Sequence, residues 1–305
     1  MSVTASMVRD LREKTSAGML DCKKALEETS GDMEAAIEWL RKKGLSSAAK
    51  KSDRLASEGA VVAFVNNGKT GVLLEVNSET DFVAKNDLFK AFIADAVKLV
   101  GTTTPAPSDV DALMKLQLGG MDVAEALKNA IAKIGENIVL RRFSRYDAPT
   151  GYVHSYIHGD GKIGVLVELT TAKPDDNAKT FANDVCLHVA AMNPLALSQD
   201  AIPADVVAKE KEIMKAKNLE QGKKPEMIDK IVEGQIRKFL AESALLEQAF
   251  VKNPDLKVKD YMTEMAKKSG DNYVIKRFVR FELGEGLQKR SNNFAEEVAA
   301  QTKGH

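Results

Sequence analysis

The first 45 residues alternate apolar and polar side chains at the spacing of short amphipathic helices. The apolar positions fall in three groups, residues 8–11, 19–26 and 36–40. Asp32 precedes the third group, where a side-chain oxygen can cap a helix. The pattern predicts a three-helix module over residues 1–45. The small and polar segment that follows, 46–57, is interpreted as a linker.

From residue 58 the apolar pattern changes to that of β-strands, and later segments return to helical spacing. The predicted order is strand, strand, helix, helix, strand, at residues 61–65, 72–76, 88–100, 124–134 and 138–143. Asn67-Gly68 between the first two strands supplies the positive φ values of a tight hairpin turn. Pro105 and Pro107 indicate a loop between the two helices.

The same order of elements recurs later in the chain. Residues 71–76 (GVLLEV) match 164–169 (GVLVEL) at an offset of 93, and residues 138–143 (IVLRRF) match 273–278 (YVIKRF) at an offset of 135. Two related subdomains are therefore predicted, the second with about 42 inserted residues. The predicted boundaries are 58–148 for subdomain N, and 149–202 with 247–286 for subdomain C.

The insertion, 203–246, contains two helical patterns separated by a Gly-Lys-Lys-Pro turn at 222–225. This is typical of an antiparallel helical hairpin. A last helix, 287–305, is predicted with Phe294 and Val298 on one face. The predicted fold class is α+β, with antiparallel sheets in the two repeated subdomains.

Composition limits the function classes. The 305 residues carry 44 Lys and Arg against 44 Asp and Glu, which argues against a protein that coats nucleic acid. No apolar run approaches the roughly 20 residues of a membrane span, and no export signal is visible, so a cytoplasmic location is expected. With Cys22 and Cys186 as the only cysteines, a disulfide framework is excluded.

Motifs that would indicate an enzyme are weak. Residues 68–70 (GKT) resemble the end of a P-loop, and 159–164 satisfy G-x-G-x-x-G, but both lie between strands and favour hairpin turns. His154 and His158 share one strand face without further metal ligands nearby. Cys186 and His188 lie two apart in a helical pattern, which favours buried packing. The chain is predicted not to be an enzyme, with no cofactor and no metal.

One place breaks the repeat. After the second strand, the first copy continues with Thr80, Asp81, Phe82 and Val83, and the second copy has no counterpart to this pairing of an acid with an aromatic side chain. In one interpretation Asp81 caps the next helix and Phe82 folds into the core, which periodicity alone favours. In the other, the aromatic ring and the acid are offered to a partner protein.

Several segments together resemble the elongation factor Ts family of bacteria. They are 8–15 (VRDLREKT), 18–26 (GMLDCKKAL), 80–86 (TDFVAKN), 133–138 (KIGENI), His158 with 163–167 (IGVLV), and 281–286 (FELGEG). The resemblance covers nearly the whole chain in the family's order. It implies that residues 1–45 form a ubiquitin-associated-like module, followed by a two-part core, a helical hairpin and a C-terminal helix.

The resemblance also implies a function. The factor would bind elongation factor Tu with GDP and stimulate GDP release and GTP exchange. Residues 80–83 would lie against the partner's G domain, where Phe82 disturbs the magnesium and phosphate site. Met19 and Leu20 would contact the same domain, and His158 a different one. No stable contact with nucleic acid or membrane is expected.

Two alternatives stay open at this point. The first 45 residues taken alone suggest a binding module, and Arg141, Arg142, Lys276 and Arg277 suggest an RNA-binding translation scaffold. Because both copies repeat these basic strand residues, a structural role or a solvated face also accounts for them. The sequence leaves open whether the free factor is a monomer, or a homodimer through the hairpin or the second subdomain.

Overall fold

The computed structural model describes residues 3–15 and 17–288, without the side chains at 45–47 and 49. Three helices begin the chain: α1 (Ala5–Thr15), α2 (Met19–Glu28) and α3 (Met33–Ala49). Leu11, Cys22 and Leu26 are buried in their shared core. Asp32 Oδ1 accepts a hydrogen bond from the Ala35 N–H at 2.9 Å and so caps α3, as the sequence predicts.

The predicted linker, 46–57, is partly helical. α3 continues to Ala49, so residues 46–49 extend the helix instead of leaving it. Ala48 is buried and α3 packs on a later helix, and this packing outweighs the weak local preference of a Ser- and Ala-rich segment. Turns follow from Lys50 to Arg54.

The next part of the chain builds the first sheet. Its elements are β1 (Glu58–Asn66), β2 (Thr70–Ser78), α4 (Asp81–Lys85), α5 (Asp87–Thr102), α6 (Val110–Met114), β3 (Gln117–Leu118), β4 (Met121–Asp122), α7 (Val123–Ile134) and β5 (Ile138–Asp147). The strand order is β1-β2-β5, and β3 pairs with β4 separately. Asn67 and Gly68 have positive φ in the hairpin between β1 and β2, which confirms the predicted turn.

The rest of the chain builds a second sheet in the order β10-β7-β6. Its elements are β6 (Tyr152–His158), β7 (Ile163–Thr170), α8 (Asp176–Met192), α9 (Ala204–Glu220), α10 (Pro225–Ser243), β8 (Ala249–Phe250), β9 (Asn253–Lys257), α11 (Val258–Ser269) and β10 (Val274–Glu282). β6 and β7 pair antiparallel with Tyr152 opposite Leu169. The glycines at 159–161 lie in their turn, so the G-x-G-x-x-G match is a hairpin.

The two sheets confirm the sequence repeat and the α+β fold class. In each, a hairpin is followed by helices, and the third strand pairs with the second strand of that hairpin. The strands β2 and β7 carry one matched segment, and β5 and β10 carry the other. The predicted helical hairpin is α9 and α10, joined by a turn near Gly222.

Two compact units can be distinguished. One comprises the described parts of Met1–Val62, Leu74–Phe143 and Glu282–His305, and the other comprises Ala63–Leu73 with Ser144–Phe281. β1, β2 and β5 each contribute residues to both units, whereas the predicted division between subdomains N and C lies at 148/149. The predicted C-terminal helix, 287–305, lies outside the described residues from 289 onward, and residues 287–288 are not helical.

None of the helices within residues 3–15 and 17–288 combines the length and hydropathy needed to cross a bilayer.

Candidate functional site

The segment after β2 turns sharply into a short helix. β2 ends at Ser78, Thr80 is extended (φ −130°, ψ 158°), and α4 has only five residues. Asn86 ends α4 and begins α5, where its Oδ1 accepts hydrogen bonds from the N–H groups of Leu88 (2.9 Å) and Phe89 (3.3 Å). Both ends of α4 are therefore fixed by defined residues. We call residues 80–83 the corner.

The corner projects Phe82 away from the protein. Its side chain is 76% exposed, whereas the next residue, Val83, is 4% exposed. Successive helical residues point about 100° apart, and here the two side chains leave α4 in different directions, Val83 into the core and Phe82 outward. The interpretation that Asp81 caps the helix and Phe82 folds inward is therefore wrong: Thr80 occupies the N-cap position, and both Asp81 and Phe82 are exposed.

A reciprocal set of hydrogen bonds supports the corner from below. The Thr80 N–H donates to Glu136 Oε2 at 2.9 Å, and the Thr80 hydroxyl donates to Glu136 Oε1 at 2.7 Å. In return, the Asn137 N–H donates to Glu79 Oε1 at 2.7 Å. We call residues 79, 80, 136 and 137 the clasp. It joins the end of β2 to the start of β5.

The clasp is anchored to a third segment. The buried Asn137 amide donates to the carbonyl oxygens of Ser52 (3.3 Å) and Arg54 (2.8 Å) in the turns after α3. Gly135, at φ 90°, ends α7 in the left-handed conformation that brings Glu136 into position. The sequence marks 133–138 as a family segment but gives no sign of a role for Glu136 and Asn137, because their partners lie more than 50 residues away.

The second copy has a simpler version of this support. Asp271 lies 135 residues after Glu136, the offset that relates the third strands. Its Oδ2 accepts hydrogen bonds from the Thr171 hydroxyl (2.5 Å) and from the N–H groups of Ala172 (2.9 Å) and Lys173 (3.0 Å). A carboxylate thus holds the segment after the second strand in both copies, but only the first copy carries a projecting aromatic residue there.

Below the corner, the central strand β2 carries a buried carboxylate. Glu75 has no exposed surface, and it accepts hydrogen bonds from Arg141 (2.8 Å), Arg142 (2.6 Å) and the Gly284 N–H (2.9 Å). Burial alone would raise the pKa of Glu75, but these hydrogen bonds and the charge of Arg142 hold it below its ordinary value. The carboxylate is therefore ionised and ties three segments together.

The basic strand residues have partners in both copies. Glu168 accepts hydrogen bonds from Lys276 (2.8 Å) and Arg277 (2.5 Å), as Glu75 does from Arg141 and Arg142. These side chains neutralise buried carboxylates and do not form an unpaired basic face. The structural interpretation of the repeated basic residues accounts for them, and the RNA-binding alternative loses the feature that suggested it.

Met19 and Leu20 lie in the same compact unit as the corner, at the start of α2. They are 58% and 83% exposed, the latter among the most exposed of the large apolar side chains. Nearby, α3 and α7 border a cleft of about 380 Å³. Its charged lining includes the ion pairs Lys43–Asp21 and Arg41–Glu125.

His158 belongs to the other unit, at the exposed end of β6. Its Nδ1 is hydrogen bonded to the Tyr156 hydroxyl at 2.9 Å. His154, on the same strand, is hydrogen bonded through Nε2 to Asn183 at 3.3 Å. Within residues 3–15 and 17–288, no group of three or more His, Cys, Asp or Glu side chains is placed to hold a metal ion.

Cys186 and His188 are both fully buried in α8, as their spacing predicts. His188 Nε2 is 2.9 Å from Gln248 Oε1, and its Nδ1 accepts a hydrogen bond from the Val251 N–H at 3.1 Å. Both ring nitrogens therefore have structural partners. Cys186 packs in the core of its unit, and burial raises the pKa of its thiol.

Comparison with known proteins identifies the family. The family model described as elongation factor TS matches residues 79–285. Proteins named elongation factor Ts are similar over nearly the full length of both chains: 58% identical in Bdellovibrio bacteriovorus (100% of each chain), 53% in Syntrophotalea carbinolica (99% and 100%) and 47% in Clostridioides difficile (99% of each). This chain therefore belongs to the elongation factor Ts family, the translation elongation factors that act in guanine nucleotide exchange.

Proposed function

We propose that this member of the family binds elongation factor Tu in its GDP-bound form and speeds GDP release by inserting Phe82 beside the magnesium and phosphate site. The observation that carries the proposal is that Phe82 is exposed on a short helix whose two ends are held by hydrogen bonds. A large apolar side chain that is 76% exposed, next to one that is buried, has the form of an anchor for a protein partner.

The mechanism is physical and needs no bond to be made or broken. A GTPase holds its nucleotide through backbone N–H groups around the phosphates and through a magnesium ion that bridges them. The ion is the largest local charge of such a site, so displacing its ligands weakens nucleotide binding sharply. The factor and GDP then oppose each other's binding by the same coupling free energy.

The coupling free energy is the amount by which contacts at the corner must weaken GDP binding. Each 1.4 kcal/mol of coupling changes the GDP dissociation constant tenfold, so about 3 kcal/mol corresponds to about a hundredfold weakening. GTP that enters the vacated site displaces the factor by the reciprocal effect. Met19 and Leu20 on the same unit, and His158 on the other, are proposed as further contacts that hold the partner without touching its nucleotide.

The test is the release of fluorescent GDP from elongation factor Tu. We expect Phe82→Ala to lower the stimulated release rate at least tenfold at a saturating concentration of factor, with unchanged thermal unfolding. Val274→Ala, which truncates a half-exposed apolar side chain on β10, is the matched control and should stimulate normally. Full stimulation by Phe82→Ala would show that the proposal is wrong.

A further inference from the structure

The orientation of the corner depends on few contacts. α4 has five residues, too few to be a stable helix alone, and Val83 is its one buried side chain. Its direction must therefore be set where the chain enters and leaves it. Asn86 fixes the exit by capping α5, and Thr80 lies at the entry.

At the entry, Thr80 does not act as an ordinary cap. A threonine at the N-cap normally accepts a hydrogen bond from an N–H of the first helical turn. Here its hydroxyl makes no such bond, and both of its donors, the hydroxyl and the backbone N–H, are directed at the two oxygens of Glu136. Thr80 therefore does not stabilise α4 by capping it. Its two hydrogen bonds to Glu136 attach the start of α4 to the segment before β5.

We propose that Glu136 is a positioning residue for nucleotide exchange, whose carboxylate fixes Thr80 and thereby the direction in which Phe82 leaves the surface. The inference rests on the proposed function of Phe82 and goes beyond it. Glu136 is half-buried behind the corner, and it acts through Thr80, two residues before the exposed ring.

Comparison of the two copies distinguishes a residue that positions the Phe82 ring from one that only stabilises the fold. The Lys173 N–H donates to Asp271 at 3.0 Å, and the Thr80 N–H donates to Glu136 at 2.9 Å, in matched places of the two copies. Both carboxylates stabilise the segment they hold. Only in the first copy does that segment carry the ring, so only there should loss of the carboxylate change the exchange reaction.

The experiment measures stimulated release of fluorescent GDP against factor concentration, for the full-length chain and its variants. We expect Glu136→Ala to lower the maximal rate by about tenfold, because a misplacement of about 1 Å is enough for such a loss where a rate depends on precise positioning. A loss of folded factor alone would raise the concentration needed for half the maximal rate and leave the maximum unchanged. Glu136→Gln, which keeps one acceptor oxygen, should recover part of the maximal rate.

Asp271→Ala is the matched control and should retain the wild-type maximal rate. The double variant Phe82→Ala/Glu136→Ala should be no slower than Phe82→Ala alone, since the carboxylate acts through the ring. Wild-type behaviour of Glu136→Ala, an equal loss in Asp271→Ala, or additive losses in the double variant would each overturn the inference and leave the role of Phe82 standing. Full activity of Phe82→Ala would instead overturn both proposals.

Discussion

The Glu75 carboxylate, with no exposed surface, accepts a hydrogen bond from the Arg142 guanidinium at 2.6 Å, and the second copy repeats the pair as Glu168 with Arg277 at 2.5 Å. The two pairs differ in their surroundings. The cations around Glu75 are 21% and 32% exposed, and those around Glu168 are 58% and 44% exposed. The Gly284 N–H also donates to Glu75.

Because of this difference in exposure, replacing the glutamate with glutamine should affect the free energy of unfolding more in the first copy than in the second. Glu75→Gln removes the buried counter-charge of Arg141 and leaves Arg142 with its ion pair to Glu285 at 3.2 Å, and it should lower the free energy of unfolding by about 3 kcal/mol. Glu168→Gln should lower it by about 1 kcal/mol, because water screens its more exposed partners. Urea denaturation of both variants measures the difference, and equal losses would contradict the prediction.

The pH dependence of stability should reflect His188. Burial lowers the pKa of His188, and the hydrogen bond to Gln248 offsets only part of this effect. The unfolded chain, with an ordinary pKa near 6.5, therefore binds a proton more readily than the folded chain. This contribution to stability is complete above about pH 6.5 and is lost as the pH falls toward the lowered folded-state pKa. His154, whose pKa burial also lowers, acts in the same direction.

Chemical denaturation at pH 7.5 and at pH 5.5 tests this prediction, and the free energy of unfolding should be smaller at pH 5.5. Stability that is equal or greater at the lower pH would contradict the proposed neutral state of His188.

Two helical glycines should respond in opposite ways to substitution. A Cβ on Gly234 in α10 meets no atom within 4 Å, so Gly234→Ala should raise the free energy of unfolding by about 1 kcal/mol through helix propensity. A Cβ on Gly44 in α3 would lie 3.0 Å from the Ala132 Cβ on α7. Gly44→Val should therefore destabilise the chain by at least about 1 kcal/mol, as overpacking does. Thermal unfolding of the two variants provides the comparison, and a stabilising Gly44→Val would show that α3 can shift.

Local periodicity was sufficient to predict most of the fold. The hairpin at Asn67-Gly68 and the cap at Asp32 depend on residues close in sequence, and the repeat that relates β2 to β7 depends on a match between two short segments. The short elements α6, β3, β4, β8 and β9 were missed, because two to five residues carry no reliable period. The end of α3 was missed because packing on α7 decides it.

The candidate site, like the fold, was only partly predictable from local sequence. The position of the corner was predicted from the point where the repeat breaks, and the roles of its residues remain a proposal. Its geometry was not predictable, since Thr80 and Glu136 lie 56 residues apart and neither residue has a distinctive local pattern. Periodicity favoured a buried Phe82, whereas in the structure Val83 takes the core position and Phe82 is exposed.

The paired carboxylates at Glu136 and Asp271 have a consequence for how such a chain can change over time. The two copies share similar hydrogen-bonded frames, and the frame of the second copy stands without a projecting ring, so the ring is not required for the frame. Substitutions at the exposed positions 81 and 82 can therefore change the side chains that the corner presents while the hydrogen bonds beneath it stay in place.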